Sequence, residues 1–197
     1  QITDIKQLDD NIIEAGAGAR LPHLARHAAK LGMSGLEFAV GIPGTLAGAV
    51  WGNAGAFGKS MKDAAKEVEV FDVKKEKIIR LSNRQCRFGY RDSIFKKNPN
   101  LIVLSAKIKS KKSDPEKIKE YAKYRKEHQP LNYPSAGSVF RNPLGFFAGE
   151  LIEKCGLAGK QIGQAQISVK HANFIVNLGD AKAQDVLALI NLAKRRV

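Results

Sequence analysis

Residues 35 to 58 read GLEFAVGIPGTLAGAVWGNAGAFG, with seven glycines among small apolar side chains. No other stretch limits the possible fold as strongly. Glycine at this density suits neither a helix interior nor a sheet centre, because each one costs conformational entropy on ordering and leaves no side chain to pack. The segment is therefore expected to form tight turns where another group comes close to the backbone. Two readings fit: a loop packed against neighbouring strands, or a cradle whose main-chain N–H groups meet phosphates or a flat ring. Composition does not separate them.

The stretch runs on into Gly58-Lys59-Ser60, the ending of a phosphate-binding P-loop. The complete pattern requires glycine five positions before Gly58, where Asn53 stands; Gly52 is one residue early. A short apolar strand run leading straight into the loop is also lacking. These two faults argue against a nucleoside triphosphatase. EAGAGA, residues 14 to 19, holds a bare G-x-G, too little for a dinucleotide fingerprint.

With 197 residues, 44% hydrophobic and 26% charged, the chain can bury the core of one large domain or two small ones. No apolar run approaches the roughly 20 residues of a membrane-spanning helix, and no signal segment opens the sequence, so a cytoplasmic protein without a membrane partner is expected. Cys86 and Cys155 lack the paired spacing of a disulfide framework or zinc site. His23 and His27 stand four apart, but Leu24 occupies the glutamate place of H-E-x-x-H, so no metal site is assigned. The formal net charge of +14 favours anionic partners. Its lysines and arginines are largely interleaved with acids, as on a solvated face, and aromatics make up 7%. Small polyanions such as nucleotide sugars and dinucleotides fit this charge, and no nucleic-acid partner is assigned.

Local signals outline two units. PHLARHAAKLG reads as a helix with Pro22 in its first turn, Leu21, Leu24, Ala28 and Leu31 on one face, and Gly32 as its stop. EVEVFDV and IIRLS, turned by KKEK, read as a hairpin, and residues 100 to 108 as a further strand. SDPEKIKEYAKYRKEHQP reads as a charged helix capped by Ser113 or Asp114, with Pro115 in its first turn and Pro130 past its end. It links to a second unit, where GELIEKCG is a short helix stopped by Gly156 and HANFIVNLG a strand ended by Gly179. A closing helix spaces Val186, Leu189, Ile190, Ala193 and Val197 along one face. The expectation is an α+β protein in two units joined near residue 128. A first residue other than Met and a last one within a helix suggest a piece of something longer.

Four motifs in order, GLEF–GIPGT–NAGAFG, FGYRDSIF (88 to 95), PSAGSVFRNP (134 to 143) and KHANFIVN (170 to 177), make the chain resemble the UDP-N-acetylenolpyruvoylglucosamine reductase family. The resemblance spans nearly the whole sequence, and its GIPGT and AGSVFRNP blocks are highly specific. It implies an FAD-binding domain of vanillyl-alcohol-oxidase type over residues 1 to 128, and a smaller α+β substrate-binding domain over residues 129 to 197. It further implies a monomeric oxidoreductase using FAD and NADPH to make UDP-N-acetylmuramate from a UDP-sugar enol ether, for peptidoglycan.

Carried over by position, the family's flavin contacts fall on Gly41, Ile42, Pro43, Gly44, Thr45, Gly48, Asn53, Ala54 and Gly55. Ala47 stands where related sequences have glycine. Arg91 would hold the enolpyruvyl carboxylate and stabilise developing negative charge, and Ser138 would donate the proton. Serine is a poor acid in water, so Ser138 needs a partner for its alkoxide, and Arg141 is a candidate. Tyr90, Arg141, Asn142 and His171 would touch substrate. Without the resemblance, Arg91 beside Asp92 reads equally as a buried salt bridge, Ser138 as turn chemistry and His171 as a structural hydrogen-bonder. The family's further glycine-rich flavin loop would precede Gln1 and its catalytic glutamate would follow Val197, so this chain by itself is expected to have an incomplete flavin site. Two alternatives stand beside this reading: another flavoprotein of the same superfamily, and a cofactor-free binding module.

Overall fold

The computed structural model describes residues 2–112 and 116–197. The expected cap at Ser113 or Asp114 and the first-turn Pro115 lie outside the described residues. The chain divides into two compact units, Gln1–Lys123 and Tyr124–Val197.

The first unit opens with β1 (Ile5–Asp9), β2 (Ile12–Gly16), α1 (Leu21–Lys30), β3 (Met33–Ser34) and a 3-10 turn at Glu37–Ala39. The glycine stretch then supplies α2 (Leu46–Gly52), β4 (Gly55–Ala56) and β5 (Lys59–Ser60). There follow α3 (Met61–Ala64), β6 (Ala65–Asp72), β7 (Lys77–Ser82), α4 (Ile94–Lys97), β8 (Leu101–Lys109) and β9 (Lys111–Lys112). Among the described residues one sheet runs in the order β1-β2-β8-β6-β7, antiparallel at every pairing. The period-2 alternation of β6 buries Val68 and Val70 while Glu67 and Glu69 lie on the other face. Against the buried residues pack Leu21, Leu24, Ala25 and Ala28 of α1 with Leu46, Ala49 and Val50 of α2. Each fully buried leucine contributes roughly 1.5–3 kcal/mol by leaving water.

Leu31, expected on the buried face of α1, is 40% exposed. The helix ends at Lys30 and Gly32 turns the chain at φ +70°, so the stripe stops one residue short and Ala25 fills it instead.

The charged helix α5 (Glu116–His128) spans the division between units and has no buried residue. Beyond it the second unit has β10 (Ser135–Ser138), α6 (Ala148–Lys154), β11 (Gln161–Ile162), β12 (Ala165–Ile167), β13 (Phe174–Asn177) and α7 (Ala183–Arg196). Its strands pair antiparallel in the order β10-β13-β12-β11. Ile152 of α6 and Leu189 and Ala193 of α7 share a core with Ile167 and Ile175. Gly156 ends the α6 region at φ +70°, which glycine adopts at little cost. Among the described residues no helix is long and apolar enough to cross a membrane.

Candidate functional site

The entry to the glycine loop is pinned to the β2–α1 connection by backbone alone. Leu21 N–H donates to Gly44 O at 3.0 Å, Leu46 N–H to Ala19 O at 2.9 Å and Ala47 N–H to Ala17 O at 3.0 Å. Thr45 then caps α2, its Oγ1 accepting from Gly48 N–H at 3.3 Å. Ile42, Ala47 and Ala54 pack against the core, so the methyl group at position 47 turns inward. Gly41 is half-buried, while Pro43, Gly44, Thr45 and Gly48 are exposed.

The glycines fall into two kinds. At Gly55 a Cβ would collide with the carbonyl of Lys59, so the protein's own packing requires glycine there. At Gly44 a Cβ would meet nothing within 4 Å, and at Gly48 it would meet only Thr45 Oγ1 at 3.7 Å. Gly44 has φ +113°, which accounts for glycine on backbone grounds. Gly48 has neither reason. It sits in the first turn of a helix, where glycine costs about 0.5–1 kcal/mol relative to alanine. A bare, open helical position beside a positive-φ turn is a surface over which a ligand can approach the main chain.

Asn53 ends α2 in the left-handed region at φ 43° and is buried. Its Nδ2 donates to Gly89 O at 2.7 Å and its Oδ1 accepts from Lys62 N–H at 2.9 Å. Both ends of the amide are thus engaged within the protein. Ser60, the last residue of the P-loop-like ending, caps α3 in a reciprocal box with Asp63.

The Gly89 contact leads to the turn carrying Arg91. Gly89 and Asp92 bridge across it, and Arg91 is held at φ 53°. That conformation costs a residue with a Cβ on the order of 1 kcal/mol and persists where its surroundings impose it. Here Arg91 Nη2 donates to Gly55 O at 2.7 Å, Nη1 to Asn53 O at 3.5 Å, and Lys96 Nζ donates to Arg91 O at 2.8 Å. Lys96 also lies 4.6 Å from the centre of the half-exposed Trp51 ring. Asp92 pairs instead with Lys97 at 2.9 Å, and that hydrogen bond holds its carboxyl below the usual range. The named partners of the guanidinium are neutral carbonyls, which orient its charge without neutralising it. The exposed Tyr90 ring lies 5.4 Å from it.

Ser138 belongs to the second unit. It closes β10, exposed and opposite Phe174 of β13. Past it the chain leaves the ladder and is held by Asn173, which is 4% exposed. Val139 N–H donates to Asn173 O at 2.8 Å; Phe140 N–H donates to Asn173 Oδ1 at 2.8 Å; Asn173 Nδ2 donates to Phe140 O at 2.9 Å. Arg141 and Asn142 follow, both exposed, with Asn142 Oδ1 accepting from Ala148 N–H at 3.1 Å. His171 Nδ1 accepts from Asn173 N–H at 3.3 Å, and its ring packs on Phe174 at 4.8 Å. Burial pushes the His171 pKa below the ordinary value, so the imidazole is neutral at pH 7 with its proton on Nε2. An apolar cavity of about 250 Å³ lies alongside, lined by Phe140, Pro143 and Leu151. Asn173 was not singled out from sequence; the available signal was a lone asparagine in the apolar run ANFIV, a residue that must find partners when buried.

An antiparallel α+β unit with an open glycine-rich turn is joined to a smaller α+β unit, and the match of the first to an FAD binding domain makes this a protein of the FAD-binding class. Residues 1–82 match the profile of the family described as FAD binding domain, and residues 129–197 that of UDP-N-acetylenolpyruvoylglucosamine reductase, C-terminal domain. The chain belongs to the UDP-N-acetylenolpyruvoylglucosamine reductase family. It is 49% identical to the Caldicellulosiruptor bescii reductase over 100% of its own length and 65% of that relative's. With the Pseudothermotoga lettingae reductase it shares 45% identity over 96% of its length and 68% of the relative's. The crystal structure of the Thermus caldophilus enzyme superposes with a TM-score of 0.84 at 41% identity, covering 93% of this chain and 68% of that one.

Proposed function

We propose that the protein containing this chain reduces UDP-N-acetylglucosamine enolpyruvate to UDP-N-acetylmuramate with NADPH and FAD, in peptidoglycan precursor synthesis. The observation that carries the reading is the open backbone at Gly44 and Gly48, a cradle that internal packing does not account for at Gly48. Bound FAD would take hydride from NADPH and pass it to the enolpyruvyl double bond. Gly41, Ile42, Pro43, Gly44, Thr45 and Gly48 offer it their main chain, and Asn53, Ala54 and Gly55 complete the loop.

Arg91 binds the enolpyruvyl carboxylate with the guanidinium edge that its carbonyl partners leave over, and disperses the charge that develops beside it. Ser138 Oγ delivers the proton to the neighbouring carbon, with Arg141 stabilising the alkoxide that remains. Tyr90 and Asn142 contact substrate, as does His171 through Nε2–H, because its Nδ1 is engaged. The reading also carries a monomer in the cytoplasm and a part in cell shape and division, which rest on a continuous peptidoglycan supply.

The test uses the full-length enzyme. Ser138→Ala should reduce flavin with NADPH near the parental rate, yet reoxidise it with the enolpyruvyl substrate roughly 10²- to 10⁴-fold more slowly. Reoxidation at the parental rate would sink the assignment.

A further inference from the structure

Ser138 and Arg141 flank the point where β10 leaves its sheet, a place where backbone is ordinarily free to wander. The register between β10 and β13 shifts between Ser135 and Ser138, and after one further backbone bond at Val139 a side chain takes over at Phe140. Asn173 clasps the Phe140 residue with both ends of its amide, at 2.8 and 2.9 Å, while its own carbonyl takes the Val139 N–H. A side-chain amide offers a donor and an acceptor on one rigid plane, so it can imitate a neighbouring strand for a single residue. Asn173 is buried, so breaking the contact would leave its own amide without partners away from water.

We infer that Asn173 is a positioning residue for proton delivery: it fixes the Val139–Phe140 backbone and thereby sets Ser138 on one side and Arg141 on the other. It touches no reacting atom. The inference rests on the reading of Ser138 as proton donor, and it adds the group that makes an exposed serine at a strand end a defined donor. Misplacing such a donor by about 1 Å can cost on the order of 10²-fold. His171, two residues away, accepts the Asn173 N–H through Nδ1, so the imidazole shares the clasp's anchoring residue.

The experiment is a double-mutant cycle in the full-length holoenzyme, with the two half-reactions followed separately by flavin absorbance. Asn173→Ala should leave flavin reduction by NADPH unchanged and slow substrate-driven reoxidation about tenfold or more. Adding Asn173→Ala to Ser138→Ala should cause little further loss, since a residue acting through Ser138 has nothing left to position. Multiplied losses in the double variant, or equal slowing of both half-reactions, would overturn the inference and show a merely structural asparagine. Should Asn173→Ala not fold, Asn173→Asp serves as the second variant. Its protonated carboxyl again pairs a donor with an acceptor, so reoxidation should recover as pH falls, and an unchanged deficit at every pH would count against the clasp. If Ser138→Ala alone reoxidises at the parental rate, the reading beneath fails. A slow Ser138→Ala beside a fast Asn173→Ala removes the clasp alone.

Discussion

Gly44 and Gly48 look alike in sequence and differ in what they permit. A side chain at Gly44 would strain a backbone at φ +113°, so its loss of function would mix folding with binding. Gly48 is helical and open, which makes it the cleaner probe. In the full-length protein, Gly48→Leu should hold or raise the melting temperature, because helix propensity improves by about 0.5–1 kcal/mol, while flavin retention is lost. A variant that stays yellow would place the cradle elsewhere. His171 carries a pH signature of its own. Its depressed pKa means that the unfolded chain takes up a proton more readily than the folded one, against a reference value of 6.5. Stability linked to this group is therefore complete above pH 6.5 and is lost as pH falls toward the folded-state value. A backbone hydrogen bond and then Glu153 oppose the depression, while His128 adds to it, each weaker than burial. His171→Gln should flatten the fall of the urea midpoint as pH drops below 6.5.

At the scale of elements, the glycine loop and the Arg91 turn behave as one piece. Asn53 reaches the turn through Gly89, and Arg91 reaches back to Gly55 and Asn53. Removing the Asn53 amide would leave Gly89 O and Lys62 N–H without these partners, so Asn53→Ala should lower unfolding free energy by about 2 kcal/mol or more. It should also raise the KM for substrate, because Arg91 loses its template. Normal stability in denaturant titration would show that the stitch is dispensable. The helix α1 and the hairpin β6–β7 were legible beforehand from Pro22, Gly32 and alternating valines, since short-range geometry sets those periods. The exposure of Leu31 was not, because it depends on which residue ends the helix.

For the whole molecule, a net charge of +14 spread over the surface raises the local concentration of anions without bearing on one contact. KM for NADPH and for the UDP-sugar should rise with salt while the melting temperature moves little, and salt-independent constants would remove charge as a factor.

The sequence by itself determined the α+β class, the helices and most strands, and a glycine-rich loop that asks for a ligand, because periodicity, turn residues and backbone permissiveness act over a few neighbours. Tertiary structure alone decided which glycines face packing and which face open space, that Arg91 leans on carbonyls and not on Asp92, and that Asn173 grips Phe140 from 33 residues away. Those outcomes depend on groups distant in the chain meeting at hydrogen-bond range, where a buried donor or acceptor must be satisfied by whatever the fold brings to it.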